Sequence, residues 1–245
     1  LQAGAIGIHQ QPEYTVDLQK SEIVDHGHLA AKYNVPLCLH LRYSSDKAFE
    51  SQENAINEAL EVAKETGCSI HIEHLNSTGG TGRIRAAIDQ IENARDEGLS
   101  VTACIYPYTF WATYGGSARF NNFQEKFDIS FGDLQEVGKP DRMTEETFSI
   151  ARSENKLIAA YAMDEEDITE ALSASWVLIG SDAILEKPHN NHPRSAGCFS
   201  RLLSNYVREQ KVLSLSDALA KITILPARLL EKSSSSMRLR GRIQS

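Results

Sequence analysis

Short apolar runs alternate with amphipathic segments along most of this 245-residue chain. The apolar runs have the length of buried strands, and the segments between them repeat apolar residues about every 3.6 positions. Strands that alternate with helices form βαβ units with a parallel sheet, so the pattern predicts an α/β fold, either an open sheet or part of a barrel. The strand-like runs are GAIGI (residues 4–8), PLCLHL (36–41), CSIHIEHL (68–75), SVTACIYPY (100–108) and WVLIGSDA (176–183), and the predicted helices cover residues 17–34, 51–67, 83–98 and 214–231.

The alternation breaks once, in a mixed and charged stretch at about residues 109–170. Within it, MTEETF (143–148) and MDEEDITEALS (163–173) are predicted helices. Because the strand pattern resumes afterwards, we expect one domain over residues 1–245, with this stretch as a long insertion.

The distribution of charge and cysteine limits the partners and the compartment. The formal net charge is -8 and the basic residues are not clustered, whereas a nucleic-acid surface needs clustered Lys and Arg. No apolar run approaches the roughly 18 residues of a membrane span, and the chain opens without a basic and apolar leader. The four cysteines lie far apart, which is typical of a reducing compartment. We therefore expect a cytoplasmic protein that binds neither nucleic acid nor a membrane.

Three polar residues end apolar runs: His40, His74 and Asp182. The carboxyl ends of parallel strands share one rim, where such folds gather their chemistry. Two imidazoles and a carboxylate there are suited to a divalent metal ion with a proton carrier beside it. Side-chain alternation places His74 on the same strand face as Ile70 and Ile72. The alternative is that the histidines are core or hydrogen-bonding residues.

Other polar residues have simpler interpretations. His26 and His28 lie two positions apart on a predicted helix, point to nearly opposite sides, and belong on a solvated or packed face. His189 and His192 follow in a loop that either contacts substrate or forms a surface turn. The loop NSTGGTG (76–82) either offers backbone N–H groups to an anion or is a flexible turn.

Several of these runs form an ordered set of motifs that resembles a known family. The set resembles the metal-dependent amidohydrolase superfamily, and within it the N-acyl-D-amino-acid deacylase (D-aminoacylase) group. The resemblance implies a (β/α)₈ TIM barrel, of which this chain would supply a part, about strands 4 to 8. It also implies one or two zinc ions and hydrolysis of a linear amide by a metal-activated water. The motifs are GAIGI, LHLR (39–42), IEHL (72–75), IYPY (105–108), IGSD (179–182), HPR (192–194), TILPARLL (223–230) and GRI (241–243).

The same resemblance implies roles for individual residues. His40 and His74 correspond to metal-binding histidines on the fifth and sixth strands. Asp182 corresponds to the eighth-strand aspartate, which binds metal and acts as general base and then general acid. Arg194 corresponds to a residue that grips the substrate carboxylate, a task suited to a guanidinium group. Tyr106 corresponds to a tyrosine that helps polarise the scissile carbonyl.

Two positions depart from the deacylase pattern. Asn76 stands where these enzymes usually carry a lysine that contacts substrate, and Ala112 stands where they often carry serine. Apart from these two positions, the resemblance implies a small N-acyl amino acid or a related amide as substrate, with Asn76 in the substrate site. Hydrolysis of cyclic amides is the alternative.

The family pattern also includes a small β-domain and an H-x-H strand, which would precede residue 1. We expect this part to be supplied by a missing N-terminal half, or the chain to pair as a homo-oligomer, because half a barrel leaves sheet edges exposed. One alternative is a non-catalytic remnant or interaction domain. A second is a metal-independent enzyme that binds phosphate at residues 76–82.

Overall fold

The fold is described from a computed structural model. The structure describes residues 1, 4–45, 47, 50–78, 82–186 and 191–231. Parts of the sequence analysis lie outside these residues: His189, the glycines of the 76–82 loop at positions 79 and 80, and the GRI motif at 241–243.

Within the described residues the chain forms eight strands and nine α-helices. The strands are β1 (Ile8–Gln10), β2 (Leu37–Leu39), β3 (Ile70–Ile72), β4 (Val101–Ile105), β5 (Trp111–Tyr114), β6 (Leu134–Glu136), β7 (Leu157–Ala160) and β8 (Val177–Ile179). The helices are α1 (Lys20–Tyr33), α2 (Gln52–Thr66), α3 (Ile84–Asp96), α4 (Phe123–Phe127), α5 (Glu145–Ser153), α6 (Glu165–Ser173), α7 (Arg194–Arg201), α8 (Leu215–Ile222) and α9 (Ile224–Glu231).

Five strands form the main sheet, in the order β1-β2-β3-β4-β8, and every neighbouring pair is parallel. The predicted α/β fold with a parallel sheet is therefore confirmed. Helix ends follow the sequence signals: Ser51 accepts the backbone N–H of Asn54 at the start of α2, and Gly67 ends it with a φ of 70°, a conformation that glycine adopts without strain.

The two faces of the main sheet differ in polarity. One face is packed against helices, because Leu37, Ile70 and Val101 belong to the same fully buried cluster as Ile56 of α2 and Ile88 of α3. Along β2 and β4, buried residues alternate with half-buried ones, and the half-buried residues lie on the opposite face of the sheet. The apolar face supplies the hydrophobic free energy of the fold, and the polar face is left for other contacts.

The stretch at 109–170 contains a second sheet that the sequence pattern does not predict. Strands β5, β7 and β6 pair antiparallel in that order. Its core is an aromatic cluster of edge-on and tilted rings that includes Trp111, Phe120, Phe123 and Phe148. We call residues 111–160 the small-sheet region.

The structure corrects the predicted elements in three places. The first strand is Ile8–Gln10 rather than residues 4–8. The last helical segment is two helices, because Thr223 leaves the helical conformation with φ −132° and ψ −81°. Helix α7 and the π-helical turn after it (Leu202–Glu209) have no counterpart in the prediction. No helix in the described part of the chain is long and apolar enough to cross a membrane.

Candidate active site

His40 and His74 lie side by side at the carboxyl ends of β2 and β3, with their rings edge-on to each other. His40 Nδ1 is 2.9 Å from His74 Nε2, and the ring centroids are 4.5 Å apart at 72°. Both side chains are buried. The structure thus brings together the two histidines that the sequence placed on neighbouring strand ends.

The alternation argument is wrong about the face on which His74 lies. Ile70 and Ile72 belong to the helix-packed core, so strict alternation would point His74 at the helices. Instead its backbone is left-handed, with φ 33° and ψ 55°, and the turn directs its ring to His40. Its N–H contacts Cys104 Sγ at 3.3 Å, and its carbonyl accepts the Ser77 hydroxyl at 3.0 Å. A left-handed non-glycine residue costs about 1–3 kcal/mol and is concentrated at functional sites.

The surroundings keep His74 neutral. Burial, with a smaller contribution from His40, lowers the pKa of His74 well below its usual value. A neutral imidazole is the form that binds a metal ion. Two zinc-bound nitrogens in a tetrahedral site are about 3.3 Å apart. The two nitrogens are at hydrogen-bond distance, 2.9 Å, so the rings would have to separate by about 0.4 Å to share a tetrahedral zinc ion.

The histidine pair therefore fits two ligand positions of a divalent ion. The described residues do not complete the site, because no group of three or more His, Cys, Asp or Glu side chains among them is arranged to hold a metal. Asp182 as a third ligand stays a prediction.

Asp182 follows β8 and is also left-handed, with φ 45°. Its Oδ2 lies 2.9 Å from Nη1 of Arg194, whose side chain is 1% exposed. Burial raises the pKa of Asp182, and the charge of Arg194 opposes the rise. Arg194 Nη2 also donates to the Ala112 carbonyl at 3.2 Å, while its Nε has no hydrogen-bond acceptor among the residues that the structure describes. The guanidinium thus retains donor capacity for an anion.

His192 is buried and does not lie in an exposed surface turn. It holds the backbone of Arg194 in place. Its Nδ1 accepts the Arg194 backbone N–H at 3.0 Å, and its Nε2 donates to the Phe110 carbonyl at 3.0 Å. Its ring stacks on Phe110 with centroids 4.2 Å apart. Burial, reinforced by the charge of Arg194, lowers the pKa of His192 to about 3.

The other two predicted substrate residues lie behind the site. Tyr106 packs its ring 4.7 Å below the Arg194 guanidinium, and its hydroxyl lies 4.0 Å from Met163 Sδ. Burial raises the pKa of Tyr106 to about 12. Asn76 donates to the Tyr106 carbonyl at 2.9 Å, and no described residue donates to its side-chain oxygen.

These groups surround one cavity of about 420 Å³, a size that suits a small ligand. His40 and His74 lie in its lining with Asp182 and Arg194, and the small-sheet region forms a wall through residues 111–114. Tyr106 and Asn76 are not among the described residues that line the cavity. The cavity therefore joins the histidine pair to the Asp182–Arg194 pair.

Comparison with known proteins gives related sequences along nearly the whole chain. The chain is 29% identical over 243 residues to the N-acyl-D-glutamate deacylase of Alcaligenes xylosoxydans xylosoxydans, covering 94% of this chain and 48% of the relative. It is also 29% identical over 247 residues to the N-acyl-D-aspartate deacylase of the same organism, covering 93% and 47%. No family model matches the chain.

A solved structure agrees with these relatives. The zinc- and phosphonate-bound N-acyl-D-glutamate deacylase of Bordetella bronchiseptica superposes with a TM-score of 0.79 at 26% identity, covering 94% of this chain and 50% of that one. The resemblance to the N-acyl-D-amino-acid deacylases is confirmed. The chain spans about half the length of the deacylases that it matches.

Two charged residues that the sequence does not indicate, Glu13 and Arg119, lie beside this candidate site. Arg119 lies in the small-sheet region, is 2% exposed, and donates from Nη1 to Glu13 Oε2 and Ser44 Oγ at 2.6 and 2.7 Å. Burial would raise the pKa of Glu13, but Arg119 and a hydrogen bond from His40 lower it to about 2. Neither residue follows a predicted strand directly, so no sequence pattern indicated them.

The remaining candidate histidines on α1 lie away from the cavity, whereas the 76–82 loop begins at it, with Ser77 in the lining. On α1, His28 is exposed and His26 contacts the Gln10 side chain. Gly82, the last residue of the loop, donates its backbone N–H to Asp167 Oδ2 at 2.9 Å. A carboxylate of the chain itself thus already occupies the start of α3, where a phosphate would bind.

Proposed function

We propose that this chain is part of a zinc-dependent hydrolase of linear amide bonds that removes the acyl group from an N-acyl amino acid. The observation that carries the proposal is the pair of facing nitrogens, His40 Nδ1 and His74 Nε2, in the same cavity as Asp182 and Arg194. The relatives are named for deacylation of N-acyl-D-glutamate and N-acyl-D-aspartate, which supports the substrate class.

The proposal includes the architecture. The parallel sheet would be about strands 4 to 8 of a (β/α)₈ barrel, in a single partial domain over residues 1–245 with an insertion at about 109–170. The rest of the barrel would come from a further segment or a second copy of the chain. The four unpaired cysteines favour a reducing, cytoplasmic-type compartment.

His40 and His74 would hold the zinc ion together with Asp182. When bound, zinc would supply Lewis-acid activation of water and of the amide carbonyl. Asp182 would accept a proton from the attacking water at its carboxylate and deliver it to the amide nitrogen as the C–N bond breaks. The raised pKa of Asp182 makes the carboxylate a stronger base than an ordinary aspartate.

Arg194 would bind the carboxylate of the amino acid. Its Nε has no acceptor within the described part of the chain, and its Nη1 lies against Asp182. An arriving carboxylate would therefore compete with Asp182 for the guanidinium and leave that base free. Tyr106 would support the Arg194 guanidinium with its ring, and Asn76 would fix the Tyr106 backbone. Because the Tyr106 hydroxyl lies against Met163, polarising the scissile carbonyl would require the ring to move towards the cavity.

Hydrolysis of N-acetyl amino acids by the zinc-loaded protein tests this function. The wild type should release the free amino acid. We expect His74→Ala to lose bound zinc and at least about 100-fold in kcat/KM, because zinc supplies several kcal/mol of transition-state stabilisation. The control His28→Ala, on the exposed face of α1, should keep both. Equal zinc content and activity in His74→Ala and wild type would exclude the proposed site.

A further inference from the structure

Glu13 lies between β1 and α1 and reaches the back of the histidine pair. Its Oε2 is 2.6 Å from His40 Nε2 and 2.6 Å from Arg119 Nη1, with 8% of the side chain exposed. A carboxylate oxygen that receives an arginine N–H is an acceptor. The hydrogen in the contact with His40 must therefore be on Nε2 of the imidazole.

This contact decides which nitrogen of His40 is available to a ligand. A neutral imidazole carries one hydrogen, so Nε2–H leaves the lone pair on Nδ1. Nδ1 is the atom that faces His74 Nε2 at 2.9 Å. The ring is also packed against Tyr14, with centroids 4.6 Å apart, so it is confined from the side as well as from behind.

His74 is held differently. Its Nδ1 lies 3.1 Å from Ser77 Oγ, and the same hydroxyl lies 3.0 Å from the His74 carbonyl oxygen. A hydroxyl both donates and accepts, so Ser77 tolerates His74 with its hydrogen on either nitrogen. One histidine of the pair is thus fixed by a carboxylate, and the other can adjust.

We propose that Glu13 is a positioning residue that fixes His40 as the Nε2–H tautomer and presents its Nδ1 lone pair to a metal ion shared with His74. This inference rests on the proposed function for its purpose, although the tautomer itself can be measured without metal. Carboxylate partners of this kind orient metal-binding histidines and raise their basicity.

The competing interpretation is that Glu13 only neutralises the buried Arg119 and joins the small-sheet region to the main sheet. The two roles make different predictions for His40. A partner of Arg119 alone would leave the imidazole free to exchange its hydrogen between Nδ1 and Nε2, whereas a positioning residue holds it on Nε2.

Long-range ¹H–¹⁵N spectra of the imidazoles at pH 8 test the tautomer. In the wild type, His40 should be Nε2–H over Nδ1–H by a ratio of about 10 or more, as expected for a hydrogen bond to a charged group. Glu13→Ala should lose that preference. The control Glu58→Ala, which removes the partly buried partner of Arg42, should keep it. A wild-type His40 that carries its hydrogen on Nδ1, or an unchanged ratio in Glu13→Ala, would overturn the proposal.

Glu13→Ala leaves the buried Arg119 without its carboxylate partner, with hydrogen bonds only to neutral groups such as Ser44 Oγ, and this can prevent folding. The double variant Glu13→Ala/Arg119→Met removes both charges and should show the same loss of tautomer preference. Arg119→Met alone keeps the contact between Glu13 and His40, and should therefore keep the Nε2–H form. Loss of the preference in Arg119→Met at the same level as in the double variant would contradict the proposal.

Zinc affinity gives a second readout. Glu13→Gln should bind zinc about 10- to 100-fold more weakly than wild type, as is typical when a carboxylate behind a metal-binding histidine is removed, and Glu58→Gln should bind it as wild type does. Equal affinity in Glu13→Gln and wild type would overturn the positioning role. A wild-type protein without zinc binding would count against the proposed function, and the tautomer would still decide what Glu13 does to His40.

Discussion

The main sheet and the small-sheet region contribute to the cavity in different ways. The main sheet supplies His40 and His74 from adjacent parallel strands. The small-sheet region supplies a wall, and Arg194 is anchored on its Ala112 carbonyl. Under the proposed function, the strand ends would hold the metal ion and the small-sheet region would orient the substrate through Arg194.

The largest expected effect comes from breaking the link between the two regions. Arg119→Ala leaves Glu13 buried without its cation, with the hydrogen bond from His40 still in place, which should lower the free energy of unfolding by about 3–5 kcal/mol. Urea denaturation measures this change. Arg42→Ala breaks the more exposed ion pair of Arg42 with Glu58, which joins two parts of the main-sheet segment. It should lower the free energy of unfolding by less. A smaller loss for Arg119→Ala than for Arg42→Ala would show that the two regions are not joined through Arg119.

The burial of His192 beside Arg194 should make the free energy of unfolding depend on pH. In the unfolded chain His192 takes up a proton near pH 6.5, whereas in the folded state its pKa is about 3. Its contribution is therefore complete above pH 6.5 and is lost as the pH falls from 6.5 towards 3. We expect His192→Asn to show a flatter decline of the free energy of unfolding over pH 6.5 to 4.5. A decline as steep as that of the wild type would contradict the burial of a neutral His192.

The smallest effects compare one helix from each region. Ser51 accepts the N–H of Asn54 at the start of α2, and Thr144 accepts the N–H of Thr147 at the start of α5. Alanine at either position should cost about 1 kcal/mol. If the two regions unfold together, thermal denaturation will show one transition that both substitutions lower. Two transitions, each lowered by one substitution only, would show that the regions unfold separately.

The two regions also differ in how far the sequence predicts them. In the part of the chain that forms the main sheet, the 3.6-residue period of apolar residues and the helix-ending glycines predict the bounds of α2 and α3 to within one or two residues. Each of these helices has one apolar face and a clear end at Gly67 or Gly98. In the small-sheet region the strands are three or four residues long. Most strands of the main sheet are equally short, but they lie in a regular alternation of apolar runs and amphipathic segments, which the mixed and charged stretch that forms the small sheet lacks.

The candidate site shows the same limit. Strand ends predict the neighbourhood of His40 and His74, but alternation gives His74 the wrong face, because a left-handed backbone at a histidine has no sequence signal. The contacts of Glu13 with Arg119 join residues far apart in the chain. Only tertiary packing brings them together, so no local pattern could indicate them.

The most direct test of the account is anomalous diffraction at the zinc edge from crystals of the zinc-loaded protein. The account predicts one peak between the rings, about 2.0–2.1 Å from both His40 Nδ1 and His74 Nε2. A peak bound through His40 Nε2, or zinc elsewhere with the 2.9 Å contact between the histidines intact, would contradict it.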